Sequence, residues 1–380
     1  MRVLIDCTQI TQKKAGVGIY ALNLINELCK RQDDTFKVNL LVQDDDPCFS
    51  TNSMRAHSVV TIPAKYFRKL PLRFLMEQIY IPLLAAKHRV DIVHSLHYSF
   101  PLLPTRIRKV VTIHDMTFFL MPEVHTRFKR IYFRFFIRAA AYLSSSLIFV
   151  SKSTQADLMA YFPKYRKPGF ITPLGKSSSF RPDLEPQKVG RVLEKYNLSK
   201  PYILYIGTIE PRKNLVRLVT AFSQIAQSFP HHTLVIAGMK GWMYEELFAT
   251  VTRLEMEKRV VFTGYVEEED KPYLIAGCEA FVYPSLYEGF GIPVLEALAC
   301  GAAVLTSDKS SLPEVAGDAA LLVNPTSVDS ITQNLEMLLS DLSIRMSLHE
   351  KSLRQASLFD WRFTADRTIE AYRALSKDTP

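Results

Sequence analysis

Short runs of apolar residues alternate with longer amphipathic stretches along the chain. In the first half, the apolar runs that predict β-strands cover residues 3–5, 38–42, 92–94, 110–114, 147–150 and 169–172. Stretches with helical periodicity lie between them, at residues 16–30 and 74–88. Strands separated by helices form parallel sheets covered on both faces, so the first half is predicted to be a doubly wound α/β domain.

The same alternation starts again in the second half. Strands are predicted at residues 202–207, 233–238, 260–262, 280–283, 303–306 and 320–323. Helices are predicted at residues 215–228, 245–257, 270–277 and 363–375, and a further helix ends at residue 300. The turn-rich stretch 173–188 is the predicted linker. We therefore predict domains at residues 1–178 and 179–358 and a terminal segment at 359–380. Ligands are expected in a cleft between the carboxyl ends of the two sheets.

Composition agrees with this organisation. A chain of 380 residues is too long for one ordinary core, and 48% hydrophobic and 22% charged residues are typical of a globular protein. Five scattered cysteines form no Cys-x-x-Cys pair, so neither a zinc site nor a disulfide framework is indicated, and a reduced cytosolic compartment is expected. We expect no signal peptide. We also expect no membrane span at residues 131–150, because Arg134 and Arg138 interrupt that stretch.

Positive charge is concentrated in the first half. Residues 1–185 carry a net charge of +13 and the remainder −4. Two basic segments, residues 66–74 and 127–138, also contain many aromatic rings. Each is compatible with a helix that has one buried and one solvated face, with docking onto an anionic membrane surface, or with nucleic-acid binding. No helix-turn-helix, zinc finger or aromatic RNA-binding motif supports the last alternative.

The most informative segment, residues 284–301, connects a predicted buried strand to a helix. Gly289 and Gly291 let the backbone approach a ligand, and the start of a helix favours phosphate. Glu288 and Glu296 suit sugar hydroxyls, because a carboxylate accepts two hydroxyl hydrogen bonds. Phosphate and polyol at one site indicate a nucleotide sugar. The alternative is that one glutamate is an ordinary loop residue and the other a charge favoured by the helix dipole.

A second segment opens the second half, at residues 205–215. Gly207 allows a close backbone turn at the strand end. Arg212 and Lys213 follow just before a helix, and their fork and point charge form a suitable pair for a diphosphate. They could neutralise charge on a leaving diphosphate. The alternative is a solvated basic turn.

Weaker signals lie in the first half. Residues 12–20 contain Gly16 and Gly18 and give a glycine-rich entry to a helix, which suits a pyrophosphate or an acceptor group but could equally be a helix cap. The segment matches neither a Gly-x-Gly-x-x-Gly fingerprint nor a Walker loop. His114 and Asp115 at a strand end could bond a sugar hydroxyl or transfer a proton, unless neighbouring groups satisfy the imidazole.

Two loops of the second half offer backbone groups to a nucleotide base. They contain Gly264, Tyr265 and Val266, after the strand at 260–262, and residues 238–241.

Together these segments resemble the retaining glycosyltransferases of GT-B fold, family 4. The resemblance covers nearly the full length and is most specific in the second half. The matching segments are residues 207–214, 262–265, 285–297 and 313–317, with looser matches at 16–20 and 114–115. Residues 359–361 and the helix after them look like the family's tail, which crosses back onto the first domain.

The resemblance implies a role for each matching residue. Arg212 and Lys213 should hold the donor diphosphate, Glu288 the sugar hydroxyls and Glu296 the ribose hydroxyls. The other implied donor-binding residues are Gly16, Gly18, Gly207, Gly264, Tyr265, Val266, Phe290, Gly291 and Ile292. His114 should approach the reacting sugar, so the implied catalytic residues are His114, Arg212, Lys213 and Glu288.

The resemblance also implies a function. The first domain should face the acceptor and the second should bind the donor, and transfer should retain the anomeric configuration without metal or cofactor. A hexose, with mannose from GDP-mannose as the best guess, should reach a glycan or lipid-linked acceptor in surface polysaccharide or lipopolysaccharide synthesis. We expect a cytoplasmic protein, peripheral at the inner membrane face, without nucleic-acid partners. The alternatives are a nucleotide-sugar epimerase and a non-catalytic subunit of glycan assembly.

Overall fold

The chain forms two compact units. A computed structural model describes residues 1–10, 16–49, 55–67 and 70–377. Unit 1 contains Met1–Gly175 and Asp360–Pro380, and unit 2 contains Lys176–Phe359. The sequence-based divisions after residues 178 and 358 lie near these limits.

Unit 1 is built on a seven-stranded parallel sheet. Its strands are β1 (Arg2–Asp6), β2 (Lys37–Gln43), β3 (Ser58–Ile62), β4 (Ile92–Ser95), β5 (Arg108–Ile113), β6 (Ser146–Phe149) and β7 (Gly169–Ile171). They lie in the order β3-β2-β1-β4-β5-β6-β7. The order reverses between β1 and β4, and ligands of doubly wound sheets bind at such reversals.

The helices of unit 1 pack on both faces of this sheet, as parallel strand connections require. They are α1 (Val17–Lys30), α2 (Ala64–Phe67), α3 (Leu70–Leu75), α4 (Ile81–Lys87), α5 (Thr117–Leu120), α6 (Arg127–Leu143) and α7 (Lys152–Tyr161). A π-helical stretch, Met76–Tyr80, joins α3 to α4. The helix predicted at residues 74–88 therefore belongs to a longer helical segment. Ser151 caps α7 by accepting a hydrogen bond from the backbone N–H of Thr154.

Unit 2 repeats the plan with a six-stranded parallel sheet. Its strands are β8 (Tyr202–Ile206), β9 (Thr233–Ala237), β10 (Val260–Gly264), β11 (Ala280–Tyr283), β12 (Val304–Ser307) and β13 (Ala320–Val323), in the order β10-β9-β8-β11-β12-β13. Its helices are α8 (Pro186–Lys195), α9 (Leu215–Ile225), α10 (Glu245–Arg253), α11 (Lys271–Gly277), α12 (Ile292–Ala299), α13 (Leu312–Ala316), α14 (Val328–Ser340) and α15 (Leu342–Ala356). The reversal of strand order lies between β8 and β11.

The last helix of the chain, α16 (Trp361–Lys377), belongs to unit 1. The hydroxyl of Thr364 donates to the carbonyl of Pro173 at 2.6 Å, and the buried Tyr372 hydroxyl lies 2.6 Å from Nδ1 of His94. The chain leaves unit 1 at Gly175, where a Cβ atom would lie 2.1 Å from the backbone nitrogen of Trp361. Only glycine fits at this contact, so the return of the chain to unit 1 depends on it.

Burial explains which elements the sequence revealed. Every residue of β8 and β11 is buried, and strands covered on both faces consist of continuous apolar runs. The edge strand β3 is only partly buried, and its run was not predicted. Helices α8, α14 and α15 were also missed, and α8 shows that the predicted linker is too long, because the helix begins at Pro186.

The apolar stretch at residues 131–150 is divided between α6 and β6. In the part of the chain that the structure describes, none of the helices combines the length and apolarity that crossing a bilayer requires.

Candidate active site

The clearest site in the described residues lies at the carboxyl ends of β8 and β11 in unit 2. After β8, a 3₁₀ turn (Pro211–Lys213) leads into α9. Asn214 adopts a left-handed conformation, with φ 64°, and its amide donates to the carbonyls of Pro284 and Pro325 at 3.0 and 2.6 Å. These bonds hold the basic turn against the loops that follow β11 and β13.

Arg212, Lys213 and Glu288 form one ion-paired group. Nη1 of Arg212 lies 2.7 Å from Oε2 of Glu288, and Nζ of Lys213 lies 2.6 Å from Oε1. The structure therefore brings together three residues that the sequence predicted from two remote segments. Both carboxylate oxygens of Glu288 are engaged, so the carboxylate fixes the positions of the two cations.

Two further side chains complete this group, and the sequence did not point to them. Nη2 of Arg212 pairs with Oε1 of Glu210 at 2.6 Å, and Nζ of Lys213 donates to the hydroxyl of Tyr283 at 2.7 Å. Glu210 precedes the basic pair by two residues, and Tyr283 ends the predicted strand at 280–283. Position at a strand end is the signal that could have revealed the tyrosine.

The charges of the group keep Glu288 ionised. Burial would raise the pKa of Glu288, but the charges of Arg212 and Lys213 outweigh burial and lower that pKa to about 2. Burial and the neighbouring guanidinium lower the pKa of Lys213, while Glu288 opposes that change. Two cations thus face two carboxylates, counting Glu210, and their formal charges cancel.

The helix that follows Glu288 adds positive potential. Helix α12 begins at Ile292, and its first backbone N–H groups have no acceptors within the helix. Gly291 has φ 105°, and a Cβ atom there would lie 2.6 Å from Cδ2 of Leu312. The hydroxyl of Ser311 donates to the carbonyls of Glu288 and Phe290 at 2.9 and 2.8 Å. The loop is therefore held in a shape that suits an anion at the helix start.

Glu296 lies one turn further into α12 and is buried. Burial raises its pKa to about 8, Lys271 opposes the rise, and Glu268 adds to it. Among the described residues, no hydrogen bond or ion pair joins Glu296 to the Arg212–Lys213–Glu288 group. The two glutamates of the loop thus have opposite electrostatic environments.

The predicted glycine loops of unit 2 follow the neighbouring strands. A Cβ atom on Gly238 would lie 1.9 Å from the carbonyl oxygen of Gly207, so the chains after β8 and β9 approach too closely for a side chain. Gly264 ends β10 with φ 71°. Tyr265 is 42% exposed, whereas Val266 is buried.

The remaining predicted residues lie in unit 1. Nε2 of His114 is 2.7 Å from the carbonyl of Leu96, and its ring meets Tyr20 edge-to-face at 5.0 Å. Burial lowers the pKa of His114, although that carbonyl and Asp115 oppose the change. The imidazole is thus neutral and has a structural partner, which agrees with the alternative of a satisfied histidine.

The glycine-rich segment of unit 1 is described only in part. Gly16 precedes α1 with φ 44°, and Gly18 is buried in the first turn of that helix. Residues 12–15 of the same predicted segment lie outside the described residues.

Family models cover most of the chain. A model described as Glycosyltransferase Family 4 matches residues 15–172, and one described as Glycosyl transferases group 1 matches residues 191–355. The chain is 32% identical to O-antigen chain mannosyltransferase B of Escherichia coli, over 99% of this chain and 100% of that protein. It is 26% identical to O-antigen chain mannosyltransferase RfbU of Salmonella typhimurium, over 74% of this chain and 77% of that protein.

Solved structures share the fold at lower identity. Sucrose-phosphate synthase from Thermosynechococcus elongatus matches with a TM-score of 0.78 and 20% identity, over all of both chains. HepE from Anabaena in complex with UDP and glucose matches with a TM-score of 0.75 and 18% identity, over 98% of this chain and 99% of that chain. This protein is therefore a glycosyltransferase that belongs to family 4 and has the GT-B fold.

Proposed function

We propose that this protein transfers a hexose, with mannose as the best candidate, from a nucleoside-diphosphate sugar to a glycan or lipid-linked acceptor with retention of configuration. Synthesis of a cell-surface polysaccharide is supported by the two O-antigen mannosyltransferases. GDP-mannose as donor is supported by a relative from Mycolicibacterium smegmatis, which is 29% identical over 49% of this chain and 54% of that protein. Its name is GDP-mannose-dependent alpha-(1-6)-phosphatidylinositol monomannoside mannosyltransferase.

The observation that carries this proposal is the ion-paired group of Arg212, Lys213 and Glu288. During transfer the bond from the anomeric carbon to the diphosphate breaks, and its electron pair remains on the leaving oxygen. A guanidinium and an ammonium held at fixed positions stabilise that developing charge. Lys213 has three N–H donors, and two have partners within the described residues, which leaves one for a phosphate oxygen.

The acceptor oxygen attacks on the face from which the diphosphate departs, and its proton passes to an oxygen of the departing diphosphate. This route needs no protein base. Glu288 is paired through both oxygens and is therefore a weak nucleophile, so we assign it to binding. A glycosyl adduct on Glu288, detected by mass spectrometry of trapped enzyme, would contradict this assignment.

The donor's other parts have candidate partners in α12 and the loop before it. The backbone N–H groups of Phe290, Gly291 and Ile292 suit phosphate or sugar oxygens. The carboxyl of Glu296 suits the ribose hydroxyls. Gly264, Tyr265 and Val266 suit the base. Gly16, Gly18 and His114 stay predictions from the family resemblance.

We also propose that transfer needs no metal ion. Arg212 and Lys213 supply the positive charge that a divalent cation provides in other transferases. Activity should therefore persist in excess EDTA after dialysis. Loss of activity in EDTA that Mg²⁺ or Mn²⁺ restores would refute metal independence.

A donor screen tests the function. Purified protein is first examined by thermal shift with GDP, UDP, GDP-mannose and UDP-hexoses, since a ligand that binds the native state raises the unfolding temperature. The stabilising donor is then incubated with and without glycan acceptors, and released nucleoside diphosphate is measured. Acceptor-dependent release supports a transferase. Conversion of the donor to another sugar nucleotide without acceptor would indicate an epimerase, and no turnover would favour a non-catalytic subunit.

A membrane surface is the last element of the proposal. Helix α6 buries Phe136 and Ile137 but exposes a second apolar stripe: Phe128, Ile131 and Phe135 are 53–68% exposed. The helix also carries Arg127, Lys129, Arg130, Arg134 and Arg138. Exposed apolar rings with interleaved cations match the chemistry of an anionic bilayer surface. We therefore propose that α6 docks unit 1 on the membrane that holds a lipid-linked acceptor.

A further inference from the structure

A second cluster of polar side chains lies in unit 1 and takes no part in the donor chemistry. Its members come from the end of β1, the helical segment before α4 and the loop after β4. They are Asp6, Gln9, Arg73, Glu77 and Ser99. Asp6 and Glu77 are buried, at 1% and 0% exposed. Carboxylates are almost never buried at this depth unless they are paired, so their hydrogen bonds require an account.

The donors of the cluster converge on one oxygen of Glu77. Oε1 accepts from Nη2 of Arg73 at 2.8 Å, from Oγ of Ser99 at 2.8 Å and from Nε2 of Gln9 at 3.2 Å. Oε2 is buried and has no hydrogen-bond partner within the described residues. One oxygen of this carboxyl is therefore saturated, while the other accepts nothing.

Asp6 repeats this asymmetry. Its Oδ1 accepts from the backbone N–H and the hydroxyl of Thr8 at 2.9 and 2.6 Å, while Oδ2 is buried and unpartnered in the described part of the chain. Burial raises the pKa of both carboxyls, Arg73 opposes the rise at each, and Asp6 adds to it at Glu77. The charges of the two carboxyls thus act on one another, and the charge of Arg73 acts on both.

A third unpartnered atom lies in the loop after β4, the loop that also contributes Ser99. Nδ1 of His97 is buried without a partner among the described residues, and burial holds the pKa of this imidazole well below its usual value, with the charge of Arg73 contributing. The neutral ring packs against Tyr98 and Phe133, with centroids 4.4 and 5.2 Å away. The cluster therefore combines unpartnered polar atoms with aromatic surface.

The unpartnered carboxylate oxygens and Arg73 indicate which chemical groups a ligand would need. Two carboxylates repel phosphates and carboxylates, and Arg73 repels a simple cation. Sugar hydroxyls donate to carboxylate oxygens and accept from guanidinium, and aromatic rings pack against the C–H face of a sugar. Arg73 is 17% exposed and Gln9 is half-buried, so these two side chains form the part of the cluster nearest the surface.

We propose that Asp6, Arg73 and Glu77 form a subsite that binds the hydroxyl groups of the acceptor's terminal sugar. The inference rests on the proposed function, since a transferase that extends a glycan must hold the sugar whose hydroxyl attacks. It assigns the recognised part of the acceptor to carbohydrate rather than to lipid.

Isosteric variants test the subsite in the full-length protein. Methyl α-D-mannoside, methyl α-D-galactoside and methyl N-acetyl-α-D-glucosaminide serve as acceptor probes, with binding followed by saturation-transfer difference NMR and transfer by nucleoside diphosphate release. Glu77→Gln and Asp6→Asn keep the side-chain shape and remove the charge. Glu27→Gln is the control, because that carboxylate pairs with Lys30 and Arg31 at the end of α1.

We expect Glu77→Gln and Asp6→Asn to raise the acceptor KM at least tenfold, while nucleotide affinity and donor hydrolysis by water stay unchanged. Glu77→Gln also breaks the buried ion pair with Arg73 and should lower the unfolding temperature, whereas Asp6→Asn breaks none of the ion pairs within the described residues and should not. The control should match wild type.

The contrary outcomes are distinct. Wild-type protein that binds no probe, or variants that keep the wild-type acceptor KM, would overturn the subsite even where donor binding and transfer persist. Failure of both variants to fold, seen by circular dichroism, would assign the cluster a structural role and overturn it as well. Wild-type protein that binds no nucleotide sugar would refute the proposed function itself.

Discussion

Lys213 shows how one residue can be buried and still ready for an anion. Its ammonium loses water and lies near Arg212, and both effects lower its pKa. The ion pair with Glu288 at 2.6 Å opposes them and fixes the side chain. A diphosphate that enters therefore meets a positioned charge, and little reorganisation is needed at the moment of reaction.

Removing either cation should weaken donor binding and slow transfer. A hydrogen bond to a charged group is worth roughly 1.5–3 kcal/mol, so Arg212→Ala or Lys213→Ala should lower kcat/KM about tenfold to a hundredfold. The measurement is steady-state release of nucleoside diphosphate together with donor affinity by calorimetry. Lys258→Ala, on an exposed loop, is the matched control. Wild-type kinetics in both site variants would exclude the two residues from the donor site.

Glu296 predicts a pH dependence of donor binding. Its pKa of about 8 keeps the carboxyl largely protonated at pH 7, whereas accepting two ribose hydroxyl bonds requires the carboxylate. Nucleotide binding at pH 7 should therefore release a proton, and affinity should rise between pH 6 and 8. Calorimetry in buffers of different ionisation enthalpy measures the released proton. The same affinity and no proton release in this range would show that Glu296 does not change its ionisation on binding.

The stability linked to Glu296 has a defined sign. Its folded pKa lies above its unfolded value of 4.5, so the folded state binds the extra proton between these values. Stability should therefore fall as the pH rises from about 4.5 to 8, and Glu296→Gln should remove that part of the slope. Chemical denaturation of both proteins across this range measures the difference. Parallel slopes would mean that burial does not shift this carboxyl.

At the scale of elements, the loop into α12 is set by its backbone. Gly291 has φ 105°, which side-chain-bearing residues rarely adopt, and its missing Cβ lets Leu312 pack close. This geometry turns the chain so that the loop that carries Glu288 leads directly into the first N–H groups of α12. The helix start and the ion-paired group are therefore coupled through one glycine.

Gly291→Ala should damage both stability and activity. The unfavourable backbone conformation costs on the order of 1–3 kcal/mol, and the contact with Leu312 adds strain. Gly190→Ala is the matched control: this glycine lies within α8, nothing lies within 4 Å of its would-be Cβ, and alanine there should stabilise by about 0.5–1 kcal/mol. Thermal unfolding and donor affinity test both variants. Equal unfolding temperatures and affinities for Gly291→Ala and wild type would show that Gly291 does not couple the helix start to the ion-paired group.

The predictability of the elements followed burial. Strands β8 and β11 could be predicted from their continuous apolar runs, which arise because both faces of these strands are covered. The half-buried edge strand β3 lacked that signal. Helix α8 was missed because Pro186 and the charged residues around it are typical of a linker as well as of a helix start.

The site was predictable where its residues share a segment. Arg212 and Lys213 are adjacent, and Glu288 lies in a glycine loop, so the local sequence pattern was enough to predict them. The contacts of Glu77 with Gln9 and Ser99 join residues 68 and 22 positions apart. Contacts over such separations leave no periodic pattern in the sequence. These side chains come together only because of the strand order in the sheet of unit 1.

At the scale of the whole molecule, charge and exposed apolar surface coincide in unit 1. The net charge of +13 on residues 1–185 contrasts with −4 on the rest. Helix α6 carries both features: its inner face is buried in unit 1, and its outer face exposes Ile131 and Phe135 between cations. For the basic aromatic segment at residues 127–138, the structure confirms a helix with one buried face. The opposite face carries apolar side chains as well as charges.

Vesicle binding tests this surface. We expect the protein to cosediment with vesicles that contain phosphatidylglycerol and not with purely zwitterionic ones. Raising salt from 0.05 to 0.5 M should weaken binding, because the screening length falls from roughly 14 to 4 Å. Ile131→Ser and Phe135→Ser should each weaken binding further, since up to about 1.5–3 kcal/mol of apolar burial is lost per side chain. Leu342→Ser, at a 60% exposed residue in unit 2, is the control. Salt-insensitive binding would indicate apolar insertion alone, and equal effects of all three substitutions would exclude α6 as the docking helix.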